Sequence, residues 1–201
     1  MLGREFFARP TVEVARDLLG CRLVVDPGSP AEVVATLVEV EAYLGLDDPA
    51  SHAHRGPTPR AAIMFGAPGH LYVYLSYGVH HCANLVTESH GVAGAVLLRS
   101  AHVESGEETV RARRAAVGAA RSITHHDLLR GPGNLCRGLG LVLVDNGLDL
   151  CNPLSRLHVH VPATPTRRHI ARGPRVGITR ATDRPLRFAL RNHPAISRPP
   201  L

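Results

Sequence analysis

Two carboxylates separated by a single residue are the first side chains in the sequence whose types and spacing indicate a possible catalytic site. Glu39 and Glu41 belong to the segment VEVEAYLG, where the β-branched residues predict a strand. Side chains two residues apart on a strand project to the same face, which places Tyr43 beside the two carboxylates. A solvated strand edge would also account for such a pair. The carboxylates therefore need neighbours of matching chemistry before they indicate a site.

Imidazole and phenol side chains follow the carboxylates at close spacing. The polar loop DDPASHAHRG carries His52 and His54, and the segment HLYVYLSYG carries Tyr72, Tyr74 and Tyr77. Tyr72 and Tyr74 share a strand face, whereas Tyr77 stands in the turn of a predicted hairpin. Tyrosines clustered at strand ends indicate a stacking surface. In the turn, Tyr77 is either an ordinary exposed residue or a wedge that enters a base stack.

Residue types that bind zinc also occur in this region. The candidates are His52, His54, His80, His81 and Cys82. None of them belongs to an HExxH or CxxC arrangement. We therefore predict no metal ion and no cofactor, with a metal-dependent hydrolase as an alternative that chelation would test.

The charge balance of the chain indicates a polyanionic partner. Basic residues outnumber acidic ones by 23 to 17, a net charge of +6, and each phosphate that such a protein neutralises releases counterions. All the basic residues are arginines, so no lysine is present for Schiff-base catalysis. The α-amino group is the remaining primary amine, and we expect it on a frayed segment.

With neither an export signal nor a long apolar run, we expect a cytoplasmic protein that does not contact a membrane.

Strand and helix signals along the 201 residues predict one α+β domain spanning residues 1–201. Strands are predicted at Glu32 to Tyr43, His70 to Leu75, Val79 to Leu85 and Gly94 to Arg99. Helices are predicted at Thr11 to Leu19 with Thr11 as N-cap, from a capping box at Ser105 to Arg114, and from Pro132 through Cys136. We expect a mixed or antiparallel curved sheet with flanking helices, a protruding β-hairpin and a second hairpin turn at Val144 to Gly147. Segment 117–127 is predicted to be a mobile insertion.

From Glu39 to Arg99 the chain resembles the alkyladenine (3-methyladenine, methylpurine) DNA glycosylase family. The shared elements are VExEAYLG, SHAHRG followed by TPR and MF, PGxLYVYxxYGxxxCxN and VLLR, with GPGNLC, GI and PLRF further on. The similarity extends from Ala15 to Ser197. It implies a monofunctional glycosylase that flips a damaged purine out of double-stranded DNA and hydrolyses its bond to deoxyribose. The expected substrates are 3-methyladenine, 7-methylguanine and deaminated or etheno purines, and we expect the protein to act as a monomer.

The resemblance also implies roles for individual side chains. Glu41 matches the family's general base, which activates a water molecule, and Arg99 would help to hold that water. Tyr43 and Tyr74 would sandwich the flipped base, with His52 lining the pocket. A cationic base stacks well on electron-rich phenol rings and leaves readily, whereas an uncharged lesion needs more assistance.

Two further side chains receive roles from the same resemblance. Asn84 would discriminate against guanine by excluding the exocyclic amino group of that base, and Tyr77 would fill the gap left in the duplex.

Candidates for phosphate contact are Arg172, Arg175 and Arg180, while a solvated helix face is predicted for Arg111, Arg113 and Arg114. Without lysine, water is the expected nucleophile and an abasic site the product. A catalytically inactive protein that senses lesions is the other alternative.

Overall fold

The computed structural model describes residues 1–116, 123–162 and 169–201. The strands are β1 Arg22–Val25, β2 Val33–Tyr43, β3 Leu71–Ser76, β4 His80–Val86, β5 Ala95–Ser105, β6 Leu129–Arg130, β7 Leu157–His160, β8 Ile170–Gly173 and β9 Arg187–Leu190. The helices are α1 Arg4–Phe7, α2 Thr11–Leu18, α3 Glu107–Ala115 and α4 Pro132–Leu139. The predicted α+β fold is confirmed.

The nine strands found in these ranges form one sheet in which every pairing is antiparallel. Its main order is β3-β4-β5-β2-β1-β7, while β6 pairs with β5 and β9 joins β2 to β8. Helix α2 packs on β2, and α4 packs on β4 and β5. No helix within the described ranges is long and apolar enough to cross a bilayer.

Two bulges in the central strand pair reverse which alternate residues face the hydrophobic core. Val38 is an extra residue on β2, and Arg99 is an extra residue on β5 close to the same level. On β2 the odd-numbered residues face the core before the bulge and the even-numbered residues face it afterwards: Val33, Ala35 and Leu37, then Val40 and Ala42. On β5 the change is from even to odd numbers: Val96 and Leu98, then Ala101 and Val103. A bulge re-aims the side chains beside it. Glu39 and Glu41 therefore project away from the core on the same side as Arg99.

The hairpin predicted around Tyr77 is confirmed. Strands β3 and β4 pair from Leu71 with Leu85 to Ser76 with His80. Tyr77 and Gly78 both have positive φ angles, 49° and 72°, which is the backbone of a tight hairpin turn whose twist matches that of the strands.

Two predicted helix caps are wrong. Pro10, rather than Thr11, is the N-cap of α2, because the Thr11 side chain is engaged by Thr87 and Glu88, with its hydroxyl donating to Glu88 Oε1 at 2.7 Å. Helix α3 begins after Gly106, whose left-handed φ of 78° makes the turn without any side-chain cap, and Ser105 is still part of β5.

Three other sequence predictions need correction or lie outside the described residues. The hairpin predicted at Val144 to Gly147 is wrong, because Leu143–Asp145 is a short 3-10 helix and the Asn146 side chain accepts a hydrogen bond from the Val73 amide at 3.0 Å. The expected frayed N-terminus is also wrong, since Leu2 is buried and its amide donates to the Val159 carbonyl at 2.7 Å. Of the predicted insertion 117–127, residues 117–122 lie outside the described ranges.

Candidate active site

A cavity of about 460 Å³ opens at the base of the β3–β4 hairpin, on the side of the sheet to which the bulges turn the acidic residues. Of the predicted site residues, it is lined by Tyr43, His52, Tyr74, Tyr77, Asn84 and Arg99. Glu41 lies in its wall, because Tyr43 and Val176, which both line the cavity, donate hydrogen bonds to its carboxylate. The fold thus brings seven side chains from β2, β3, the β3–β4 turn, β4, β5 and the His52 loop to one place.

The Glu41 carboxylate is fully buried and is held by two hydrogen bonds and one ion pair. The Tyr43 hydroxyl donates to Oε2 at 2.9 Å and the Val176 amide to Oε1 at 2.8 Å. Arg99 Nη1 pairs with Oε1 at 3.2 Å. A carboxylate has about four lone-pair sites. The two hydrogen bonds leave lone-pair capacity on the carboxylate, so a water molecule or a substrate group can also bind there.

The two acidic side chains of β2 have opposite pKa shifts although they share Arg99. Burial raises the pKa of Glu41, and the attraction of Arg99 and the hydrogen bonds from Val176 and Tyr43 only partly offset it. Burial also opposes ionisation of Glu39, but there Arg99, Arg187 and hydrogen bonds from Ser197 outweigh it and hold the pKa below its usual value. Glu39 is therefore held as an anion, whereas Glu41 is prepared to accept a proton.

A network of buried bonds anchors Glu39. Its carboxylate pairs with Arg99 at 3.0 Å and with Arg187 at 2.6 Å, and it accepts hydrogen bonds from the Ser100 hydroxyl at 2.9 Å and the Ser197 amide at 2.6 Å. Arg99 Nη2 also donates to the Ser197 hydroxyl at 2.9 Å. With every oxygen engaged, Glu39 fixes the orientation of Arg99.

Aromatic rings form one wall of the cavity. The Tyr72 and Tyr74 rings lie 5.4 Å apart with a 38° tilt, and the edge of His52 meets Tyr74 at 4.7 Å. His52 Nδ1 and the Tyr72 hydroxyl are hydrogen-bonded at 2.9 Å. His52 reaches solvent at the rim, but the desolvation of its inner side, together with nearby Arg60, lowers its pKa to about 4. The imidazole is therefore neutral at physiological pH.

Tyr43 lies on strand β2, and a buried ion pair packs against its ring. The Arg175 guanidinium is centred 4.6 Å from the ring centroid and forms two bonds to Asp48, at 2.6 and 2.8 Å. Neither side chain of this pair has any solvent-accessible surface. The prediction that Arg175 contacts phosphate is therefore wrong, because a guanidinium in this position holds Tyr43 and cannot reach DNA.

Asn84 and Tyr77 lie at opposite depths of the cavity. Asn84 is buried, and its amide nitrogen donates to the Tyr72 carbonyl at 3.1 Å. This hydrogen bond fixes the orientation of the side-chain amide. Tyr77 at the tip of the hairpin is 88% exposed. An aromatic ring held this far from any core contributes nothing to packing, so its position is suited to contact with a partner molecule.

Several residues of this site were not identified from the sequence. Arg60 and Val176 reach the site from loops with no periodic pattern, and Ser197 comes from the C-terminal segment. Arg60 belongs to the TPR motif of the resemblance, which was the available signal. On α3, the predicted solvated face is wrong for Arg114, which is buried and donates to the Asp127 carbonyl at 3.1 Å.

Three of the five residues considered as zinc ligands have other places in the structure. His54 donates from Nδ1 to the Leu46 carbonyl at 2.6 Å, His52 contacts Tyr72, and Cys82 lines the cavity. Within residues 1–116, 123–162 and 169–201, no three or more His, Cys, Asp or Glu side chains are grouped so that they could hold a metal ion.

Comparisons with known proteins point to a single family. A family model described as methylpurine-DNA glycosylase (MPG) matches residues 5–194. Relatives named "Putative 3-methyladenine DNA glycosylase" include one from Cutibacterium acnes, 45% identical over 94% of this chain and 96% of its own length. Another from Methanocella arvoryzae is 42% identical over 98% and 96% of the two chains, and one from Nocardia farcinica is 47% identical over 91% and 84%.

Proposed function

Because the chain belongs to the methylpurine-DNA glycosylase family, we propose that it is a monofunctional DNA glycosylase of base excision repair. It excises alkylated purines such as 3-methyladenine and 7-methylguanine, together with deaminated or etheno purines, and leaves an abasic site. The names of the relatives support alkylated purines as the substrate class. The protein works on duplex DNA as a monomer in the cytoplasm, and its net charge of +6 supports a polyanionic partner.

The observation that carries the proposal is the Glu41 carboxylate in the cavity wall. Hydrogen bonds from Tyr43 and Val176 and the ion pair with Arg99 leave lone-pair capacity on the carboxylate, and a water bound there would be directed by the same groups. Glu41 accepts a proton from this water as its oxygen attacks C1′ of the deoxyribose. The C1′–N9 bond breaks, and its electron pair leaves with the purine. A raised pKa suits a general base at neutral pH.

The remaining predicted residues receive the base and the duplex. Tyr43 and Tyr74 stack on the flipped purine, and His52 lies at the rim. Asn84 disfavours undamaged guanine because the exocyclic amino group of the base would meet a fixed side chain. 7-Methylguanine carries the same amino group but is excised because its positive charge makes it a better leaving group. Tyr77 occupies the space that the flipped nucleotide vacates in the duplex. The ion pair behind Tyr43 and the edge contact on Tyr74 support this assignment, because both rings are held before the base arrives.

One assay tests the proposed function against its two alternatives. A duplex that carries a single 7-methylguanine or hypoxanthine is incubated with the protein, with and without a chelator, and then treated with hot alkali. We expect release of the free base and cleavage of the strand only after alkali, both unaffected by chelation. Tight binding of the damaged duplex without base release would indicate a lesion sensor, and loss of release on chelation would indicate a metal-dependent hydrolase. Either outcome would overturn the proposal.

A further inference from the structure

The charges around the cavity do not cancel, and the excess comes from one side chain. Glu39 and Glu41 balance Arg99 and Arg187 in the buried network. Asp48 and Arg175 neutralise each other behind Tyr43. Arg60 lines the same cavity and forms no ion pair within the described residues.

Arg60 is also in direct contact with the aromatic wall. Its guanidinium carbon lies 4.8 Å from the centroid of the Tyr74 ring, and it interacts with the Tyr72 hydroxyl. His52 adds no balancing charge, because the imidazole is neutral at physiological pH. A purine that stacks on Tyr74 therefore shares the ring, or its immediate surroundings, with an uncompensated cation. This holds on whichever face of the ring the base stacks.

We infer that Arg60 is a specificity-determining residue that favours the excision of uncharged damaged purines over cationic ones. The inference rests on the proposed function. When the C1′–N9 bond breaks, an uncharged purine takes the electron pair and departs as an anion, which takes up a proton from solvent. A purine that already carries a positive charge departs neutral. Relative to the free duplex, the positive charge held over Tyr74 stabilises the first transition state and gives no such assistance to the second.

The same charge acts in the opposite sense on binding. A cationic base is repelled by Arg60, and the electron density of the Tyr74 ring that would attract it is already engaged by the guanidinium. The expected preference of cationic bases for phenol rings is therefore weakened at Tyr74. Cationic lesions compensate by being better leaving groups, so both classes remain substrates while Arg60 changes their ratio.

The test compares two duplexes of identical sequence, one with hypoxanthine and one with 7-methylguanine. Single-turnover excision rates are measured at enzyme concentrations well below saturation, where the second-order rate constant compares each transition state with the free duplex. Any change in DNA affinity that both duplexes share cancels in the ratio. For Arg60→Gln we expect the ratio of the hypoxanthine rate to the 7-methylguanine rate to fall at least about fivefold. Arg60→Lys, which retains the charge, should recover part of the ratio.

Arg55→Gln is the matched control. Arg55 is an exposed arginine of the neighbouring loop, and it borders a separate cavity that adjoins this one. Its replacement removes the same charge from the protein and should leave the ratio unchanged. An unchanged ratio in Arg60→Gln, or an equal change in Arg55→Gln, would overturn the inference. If the wild-type protein releases neither base, the proposed function itself fails; if it releases both, only the role of Arg60 is decided.

Discussion

Arg99 and Glu41 form an ion pair almost entirely removed from solvent, with Nη1 and Oε1 3.2 Å apart and side-chain exposures of 6% and 0%. Burial raises the pKa of Glu41, and the Arg99 guanidinium is the largest influence that lowers it. A general base is active only when ionised. Excision should therefore be lost as the pH falls through the pKa of Glu41, and Arg99 sets where this loss begins.

The first prediction is that Arg99→Gln moves the acidic limb of the pH–rate profile to higher pH. Removing the cation leaves burial less opposed, so the pKa of Glu41 rises further and a larger fraction of it is protonated at neutral pH. Arg99→Lys keeps the charge, and its limb should lie closer to that of the wild type. Single-turnover excision rates between pH 5 and 9 measure both shifts. Coinciding limbs for the wild type and Arg99→Gln would remove Arg99 from this role.

The second prediction is that Glu41→Gln retains binding to damaged duplex and loses excision by at least about a hundredfold, the usual scale for a general base. The amide matches the carboxylate in shape but cannot accept a proton from water. Glu108→Gln, on the exposed surface of α3, is the control for the loss of one negative charge and should excise normally. Near-normal single-turnover excision by Glu41→Gln would exclude Glu41 as the base.

The third prediction is that Glu39→Gln mainly lowers stability. It would leave Arg187 buried without a charged partner and Arg99 with Glu41 alone, which costs about 3–5 kcal/mol of unfolding free energy. Because the folded pKa of Glu39 lies below its unfolded value, its contribution is present at neutral pH and decreases as the pH falls below that value. The difference in denaturation midpoint from the wild type should therefore be largest near neutral pH and shrink in acid. A constant difference would contradict this account.

The sequence predicted the strands of the site well because their signals are local. Alternation placed Glu39, Glu41 and Tyr43 on one face, and the spacing between two apolar runs placed Tyr77 in a hairpin turn. Both predictions depend on residues within about ten positions of each other. The seven proposed site residues came from the family resemblance, and the fold brings all seven to one cavity.

Tertiary contacts decided what the sequence did not predict. Thr11 and Ser105 have the residue types of helix caps, but Thr11 bonds to Glu88, 77 positions away, and Ser105 continues a long strand. Arg175 and Asp48 pair across 127 positions, so no local pattern marks the arginine as buried. The bulges at Val38 and Arg99 likewise arise from strand pairing and not from residue type.

The fourth prediction is that Tyr77→Ala weakens affinity for damaged duplex more than Tyr77→Phe does. The ring is 88% exposed, so neither change should alter stability by more than about 0.5 kcal/mol. Filling a vacated position in the base stack requires an aromatic ring and no hydroxyl group. Titrations at one stated salt concentration measure the affinities. Equal values for the wild type, Phe and Ala proteins would make Tyr77 an ordinary surface residue.

The last prediction joins the absence of lysine to the reaction product. A glycosylase that also nicks the strand forms an imine between an amine and the sugar, and borohydride traps it as a stable adduct. The sequence contains no lysine. The Met1 amine is held beside β7 by the bond from the Leu2 amide to the Val159 carbonyl, at the end of the sheet order opposite to β3 and its cavity.

We expect water activated by Glu41 to be the nucleophile and an intact strand with an abasic site to be the product. We therefore expect no borohydride-trapped complex with a duplex containing hypoxanthine, and no nick until alkali or an abasic-site endonuclease is added. A lysine-dependent strand-nicking glycosylase on its own lesion duplex serves as the positive control for trapping. A covalent species with the combined mass of protein and DNA strand would overturn the monofunctional assignment, and peptide mapping of that species would show whether the Met1 amine had reacted.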